Sequence, residues 1–479
     1  DAHLEALAYE SARDRYRYLV EAHGSLPEQD PAALARALLG RGLARRALAD
    51  PEYLEDVEHA ARLGRRLRDV DIVADAAAAS VWPGTFFHIA GEVPSDLVEL
   101  CEDALGLLPS DDQRRVRVLA TLASHLTFDP DRPRRVALLS EAEEQARHIG
   151  DPELIGTVLV AEHLSLWDPT TFERRQTIAV EVGRMARASG STELEFFGGF
   201  FAAISATERG QLTVARGFLE GLGDVIRASQ NPYFGFLVER LLVSIAITVC
   251  EAGVQEKVDD LLKRYEPTHA DTAGTWAVQS GMLALHEGGF ASLVPTLRAM
   301  ISARSRVGTN WAAPFGMALM AAGEMEEAAA VLGALEMPPL DYFWLTTMQT
   351  IAELAVGVAD DVWQERCVEA LSPFRDQLGV TASGSLCYGL VATTLGQLAL
   401  ARERTEEAIE LLSDAVSRAE EMGAPYESVR ARRLLATALR SAGRNADAAP
   451  VIAGALADAR RHGFDGEADL LGPTADGET

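Results

Sequence analysis

The sequence predicts an all-α fold, an α-solenoid of stacked antiparallel helical hairpins following a superhelical or curved course. Three observations predict it. Apolar residues recur at spacings of three and four, with few β-branched runs and no sustained alternation of apolar and polar residues. Helix starts and stops are marked repeatedly. One unit recurs along the chain at a period of about 39 residues.

The periodicity is clearest between Glu406 and Met422. Ala408, Ile409, Leu411, Leu412, Ala415, Val416, Ala419 and Met422 form one apolar stripe on a helix. Glu406, Glu407, Glu410 and Asp414 fall between them, toward water. Helix starts are read at Asp30-Pro31, Asp50-Pro51 and Asp151-Pro152. There the carboxylate can accept from the free amides of the first turn, and proline loses no bond. Stops are read at Gly150, Gly190 and Gly463, since glycine takes the left-handed conformation that ends a helix. Helices of about 12 to 18 residues joined by short turns follow.

The repeat gives each hairpin a second-helix anchor: Ala215, Val258, Leu293, Ala328, Cys367, Ala408 and Ala448. Gly210, Gly253, Gly288, Gly323 and Gly443 precede five of them by five residues. A small residue is needed where two helices approach, and glycine ends the first helix. One hairpin cannot bury its own stripe, so it stacks on its neighbours. The array is predicted to span residues 1–470 as one domain of about twelve hairpins, with 471–479 as a polar, disordered tail.

Of the 479 residues 72 are acidic and 44 basic, a net charge of −28, and only Lys257 and Lys263 are lysines. Direct nucleic-acid contact and anionic membranes are disfavoured as partners, because phosphate binding needs clustered cations. The apolar runs 196–207 and 241–250 fall short of the ~18 residues a membrane span needs. Cys101, Cys250, Cys367 and Cys387 show no metal-ligand spacing and read as reduced thiols of a cytoplasmic protein. Neither a P-loop, a nucleophile elbow nor a paired-histidine zinc motif is present, and Gly221-Leu222-Gly223 reads as a turn. The reading is therefore no enzyme, no metal and no cofactor.

Aromatic and small residues supply the candidate binding positions. Trp276 and Trp311 each stand 17 residues before an anchor, which places them alike on successive first helices. Two stacked indoles could line a recognition strip or fill gaps between hairpins. In Phe196-Phe197-Gly198-Gly199-Phe200-Phe201, the glycine pair permits close approach of a ligand or of another helix, beside Phe197, Phe200 and Phe201. Trp167 and Trp344 lie in further aromatic clusters near turns. The small-residue stretch Gly379 to Gly389, with Ser383, Ser385 and Tyr388, reads as a loop that interrupts the array. Its free amides and hydroxyls could hold a small ligand.

The spacing of small positions resembles the tetratricopeptide repeat, with a slightly longer period. Three further segments widen the resemblance: Ala146-Arg147-His148-Ile149-Gly150-Asp151-Pro152-Glu153-Leu154, Ala161-Glu162-His163-Leu164-Ser165-Leu166-Trp167-Asp168-Pro169 and Ala419-Glu420-Glu421-Met422-Gly423-Ala424-Pro425-Tyr426. They resemble the C-terminal tetratricopeptide-like arm of bacterial STAND signal-transduction ATPases. These are LuxR-type transcription regulators related to the maltose activator, and cyclases with a central ATPase. The resemblance implies a non-catalytic sensor or scaffold arm, excised from or reduced from such a protein. It would bind a small-molecule effector or a protein on its concave face, and its partner would be its own ATPase or output domain. A stand-alone adaptor joining proteins is the alternative. An enzyme on an all-helical scaffold is a third reading, and would require carboxylates and histidine converging on a deep pocket. On the sensor reading, Trp276→Ala or Trp311→Ala abolishes effector binding, measured by calorimetry, without unfolding the chain.

Overall fold

The computed structural model describes residues 8–23, 30–81, 91–266, 272–302, 311–381 and 384–472. The expected tail, apart from Leu471 and Gly472, lies outside them, as does Ser383. The fold is all-α: 25 helices in stacked antiparallel pairs and one short β-hairpin among the described residues. The chain divides into two compact units. Unit 1 is Asp1–Ala202, Phe218–Val238 and Tyr265–Ala270; unit 2 is Ala203–Gly217, Glu239–Arg264 and Asp271–Thr479.

In chain order the first helices are α1 (Tyr9–His23), α2 (Pro31–Ala47), α3 (Tyr53–Leu67), α4 (Val70–Ala79), α5 (Ser95–Leu107), α6 (Arg114–His125), α7 (Arg132–Ile149), α8 (Pro152–Ser165), α9 (Phe172–Ser189) and α10 (Thr192–Glu208). Then come α11 (Leu212–Glu220), α12 (Gly223–Ser229), α13 (Pro232–Thr248), α14 (Val254–Tyr265), α15 (Thr272–His286), α16 (Val294–Ser302), α17 (Ala312–Ala321), α18 (Met325–Gly333), α19 (Trp344–Gly357) and α20 (Asp361–Leu371). After β1 (Leu378–Thr381) and β2 (Leu386–Leu390) follow α21 (Val391–Ala401), α22 (Thr405–Met422), α23 (Pro425–Ser441), α24 (Asn445–His462) and α25 (Asp465–Leu471).

One turn geometry makes the pairs of unit 2. Gly210, Cys250, Gly288, Gly323, Ala359, Glu403 and Gly443 all take positive φ, between 52° and 81°. The residue after each donates its N–H to the carbonyl five back, as Gln211 to Ala206 at 2.9 Å and Arg444 to Leu439 at 2.8 Å. That bond satisfies an orphan carbonyl and reverses the chain. Four residues in this motif are glycine; at Cys250, Ala359 and Glu403 a side chain accepts the strain. Five residues on, Ala215, Ala328, Ala408 and Ala448 are buried, as expected.

Three expectations need correction. In the pair turned at Ala359, the fifth residue is Gln364, so the Cys367 anchor lies one helical turn too late. Gln364 fills the small position by donating Nε2 to the Ala355 carbonyl at 3.3 Å. Leu293 is only half-buried, because its segment is a 3-10 turn (Phe290–Leu293) and burial passes to Val294. Asp50 caps a turn through the Glu52 amide at 3.0 Å, and α3 begins at Tyr53 rather than at Pro51. Asp30 and Asp151 do cap their helices, and Gly150, Gly190 and Gly463 close theirs in the left-handed conformation.

The stretch Gly379 to Gly389 is not a loop. β1 and β2 pair antiparallel, with Leu378 opposite Leu390 and Val380 opposite Cys387, and a bulge between Gly379 and Val380. Every residue of both strands is buried. A strand buried on both faces shows no alternation in sequence, so periodicity misses it.

The glycine pair of α10 is a packing device. A Cβ on Gly198 would stand 3.0 Å from Cα of Gly183 on α9, backbone against backbone. Phe196 stacks on Phe234 at 3.8 Å and Phe201 on His163 at 3.6 Å around it. Gly198→Val is therefore expected to lower stability by about 1–3 kcal/mol in urea unfolding. Gly217→Ala, in the exposed interior of α11 with nothing near its Cβ position, is expected to raise it by about 0.5–1 kcal/mol.

Candidate functional site

Alternate helices of unit 1 line one groove. α6 contributes Arg117, Ala120, Thr121 and Ser124; α8 contributes Glu153, Thr157, Val160 and Ala161. These spacings of three and four put each set on a single helix face. Arg46 of α2, Ala78 of α4 and Glu193, Leu194 and Phe197 of α10 complete the wall around about 100 Å³ of open space. Thr121 donates to the Ala78 carbonyl at 3.4 Å and Arg46 Nε to the Val81 carbonyl at 2.8 Å, which ties the neighbouring helices together across the floor. Alanines and valine give a shallow apolar floor, and hydroxyls and charges stand at its edges. This suits a small ligand with both apolar and polar parts.

Behind the groove, polar side chains are buried within the packing. His125 meets the Ser80 hydroxyl at 2.8 Å, both fully buried. Trp167 packs edge-on to His163, and the Arg175 guanidinium lies 4.9 Å from its ring. Burial holds His163 well below the usual histidine range, so it is neutral at pH 7.

In unit 2 a second constellation surrounds the β-hairpin. Tyr388 Oη donates to Glu353 at 3.0 Å, and Arg430 Nη2 pairs with the same carboxylate at 2.5 Å. Glu427 accepts from the Leu390 amide at 3.0 Å and from the Thr393 hydroxyl at 2.5 Å. Gln349 donates to the Gly389 carbonyl at 3.1 Å, and Gln279 to the Ser385 carbonyl at 3.0 Å. The inserted strands thus find partners for their free edges in side chains of α15, α19 and α23. Burial raises the Glu427 carboxyl above its usual range, against the pull of Arg430. One carboxylate, Glu427, meets Tyr388, Tyr426 and His286 here on a space of about 20 Å³, room for about one water molecule. Among the described residues no group of histidine, cysteine and carboxylate side chains has the arrangement of a metal site.

Of the predicted residues, only Phe197 reaches the unit 1 groove. Phe200 and Phe201 are sealed in the aromatic core beside it. Trp167 and Trp344 are buried, Trp344 edge-on to Phe374 at 5.7 Å. Trp276 is 37% exposed and donates its indole N–H to Asp259 at 3.1 Å. Trp311 is half-buried against the hydrophobic core of unit 2. Trp276 is inside α15 and Trp311 caps α17, so the two do not hold the same place on their helices. Tyr388 and Ser385 belong to the buried hairpin network. The groove's polar residues were missed because threonine, serine and alanine at helical spacing look like ordinary helix surface. The available signal was the offset of 36 residues that relates Arg117 and Thr121 to Glu153 and Thr157.

No protein-family model matches the chain, and no curated protein matches it. Among solved structures, a circular tandem repeat protein with a novel repeat topology and enhanced subunit contact surfaces is 16% identical, over 97% of this chain and 94% of that one, at a TM-score of 0.11. At that score the two backbones do not superpose, and the likeness carries no inference.

His286 gives a pH prediction. It stacks on Tyr426 at 4.0 Å, and burial pushes its pKa down to about 3. The unfolded chain binds a proton there from about pH 6.5 downward. Between these values the unfolded state carries the extra proton, so stability falls as pH drops from about 6.5 to about 3. His286→Phe is expected to flatten that fall by up to about 1.4 kcal/mol per pH unit in urea titrations.

Proposed function

We propose that this chain is a non-catalytic regulatory arm that binds an effector in the groove of unit 1 and passes the binding on to an attached ATPase or output domain. The groove carries the reading. It is open, lined by one face of five alternate helices, and mixes an apolar floor with charges and hydroxyls. The order of the segments around Gly150, Trp167 and Gly423 supports the resemblance to the arms of bacterial LuxR-type and cyclase signal-transduction ATPases. That context would make the protein cytoplasmic. Among the described residues no helix is long and apolar enough to cross a membrane.

Regulation requires that the effector favour one arrangement of the arm over another. Equal affinity for both would shift nothing. Helix pairs suit this, because side chains of several successive pairs contact one ligand, and small changes between pairs alter the fit.

Thermal-shift screening of the chain against a metabolite library is expected to return ligands that raise Tm. A ligand at a hundredfold excess over its Kd adds about 2.7 kcal/mol. Thr157→Trp, at a half-buried groove position, is expected to abolish that rise and leave the circular dichroism spectrum unchanged. An undiminished rise in the variant places the site elsewhere. No ligand from the library, together with a protein captured by the chain, supports the adaptor reading instead.

A further inference from the structure

The groove of unit 1 holds charges of both signs that the fold leaves apart. Arg46 and Arg117 stand on α2 and α6, and Glu153 and Glu193 on α8 and α10. Among the described residues none of the four forms an ion pair. Arg46 uses only its Nε, on the Val81 carbonyl; Arg117, Glu153 and Glu193 are exposed. Other arginines of this unit are tied down across helices. Arg41 and Arg45 share Asp56, Arg114 bridges Asp71 and Asp112, and Arg174 bridges Glu143 and Glu162.

Local helix stability explains only part of the pattern. Glu153 and Glu193 lie in first turns, where the helix dipole favours an anion. Arg117 is the fourth residue of α6, an end of the helix where its dipole does not favour a cation.

A plain anion entering this groove gains the arginines and is repelled by the glutamates. A plain cation meets the reverse. A molecule that bears both signs satisfies both pairs, through charge-assisted hydrogen bonds and the planar fork of each guanidinium. We propose that the groove binds a small zwitterion, of amino-acid chemistry, with its anionic group on Arg46 and Arg117 and its ammonium on Glu153 and Glu193. The proposal rests on the groove being the binding site of the preceding reading.

The test is calorimetric titration of the chain with glycine, β-alanine, 4-aminobutanoate and 6-aminohexanoate, beside butanoate and butylammonium. At least one zwitterion is expected to bind about tenfold or more tightly than either singly charged control, a factor worth about 1.4 kcal/mol. R117Q and E153Q are each expected to weaken that zwitterion by about tenfold or more at unchanged Tm. Tighter binding of butanoate or butylammonium overturns the ligand class, as does absence of binding by all four zwitterions. Either result leaves the groove itself to stand or fall with Thr157→Trp. Zwitterion binding that survives Thr157→Trp, R117Q and E153Q overturns both.

Discussion

Everything in this structure depends on how closely two helices can approach. At the glycine contact points of several pairs there is no room even for a Cβ. A Cβ on Gly396 would stand 2.5 Å from Leu412, one on Gly64 2.8 Å from Ile72, and one on Gly198 3.0 Å from the Gly183 backbone. Alanine serves where the gap is one methyl wider, as at Ala215, Ala328, Ala408 and Ala448. The left-handed turn with its five-back hydrogen bond sets the second helix antiparallel to the first, so the small position falls at the crossing. A pair so built still exposes an apolar stripe, and stacking against the next pair covers it.

The same constraint makes the groove. If alternate helices are separated by a fixed repeat, residues about 36 apart stand side by side, and a groove accumulates one or two side chains from each pair. Arg117 and Thr121 on α6 thus face the same space as Glu153 and Thr157 on α8. No single helix carries a motif. The site exists only as a juxtaposition, so a search for catalytic or cofactor sequences passes over it. The β-hairpin shows the cost of interrupting the rhythm. The pair turned at Ala359 is followed by the two strands, and their backbone edges consume Gln349, Glu427 and Gln279, while Tyr388 is taken up by Glu353 and Arg430.

How legible this was depends on the kind of signal. Helix identity, the turns at Gly210, Gly323 and Gly443 and the buried alanines follow from local chemistry, and all are visible in sequence. The turn at Ala359 was hidden because a non-glycine residue carries the left-handed conformation, which displaced the anchor from Gln364 to Cys367. The aromatic residues misled for a physical reason. Large rings in a helical array are mostly drawn into gaps between pairs, as Phe200, Phe201 and Trp344 are. The residues that edge the groove are instead hydroxyl-bearing or charged.

Amide hydrogen exchange, read by mass spectrometry with and without the tightest zwitterion, tests the groove as the seat of function most directly. The account predicts slowed exchange confined to peptides covering the end of α2, α6, the first half of α8 and the start of α10, at the levels where Arg46, Arg117, Glu153 and Glu193 face the ligand. Slowed exchange around Trp276 or Trp344 with none in α6 and α8 would contradict it.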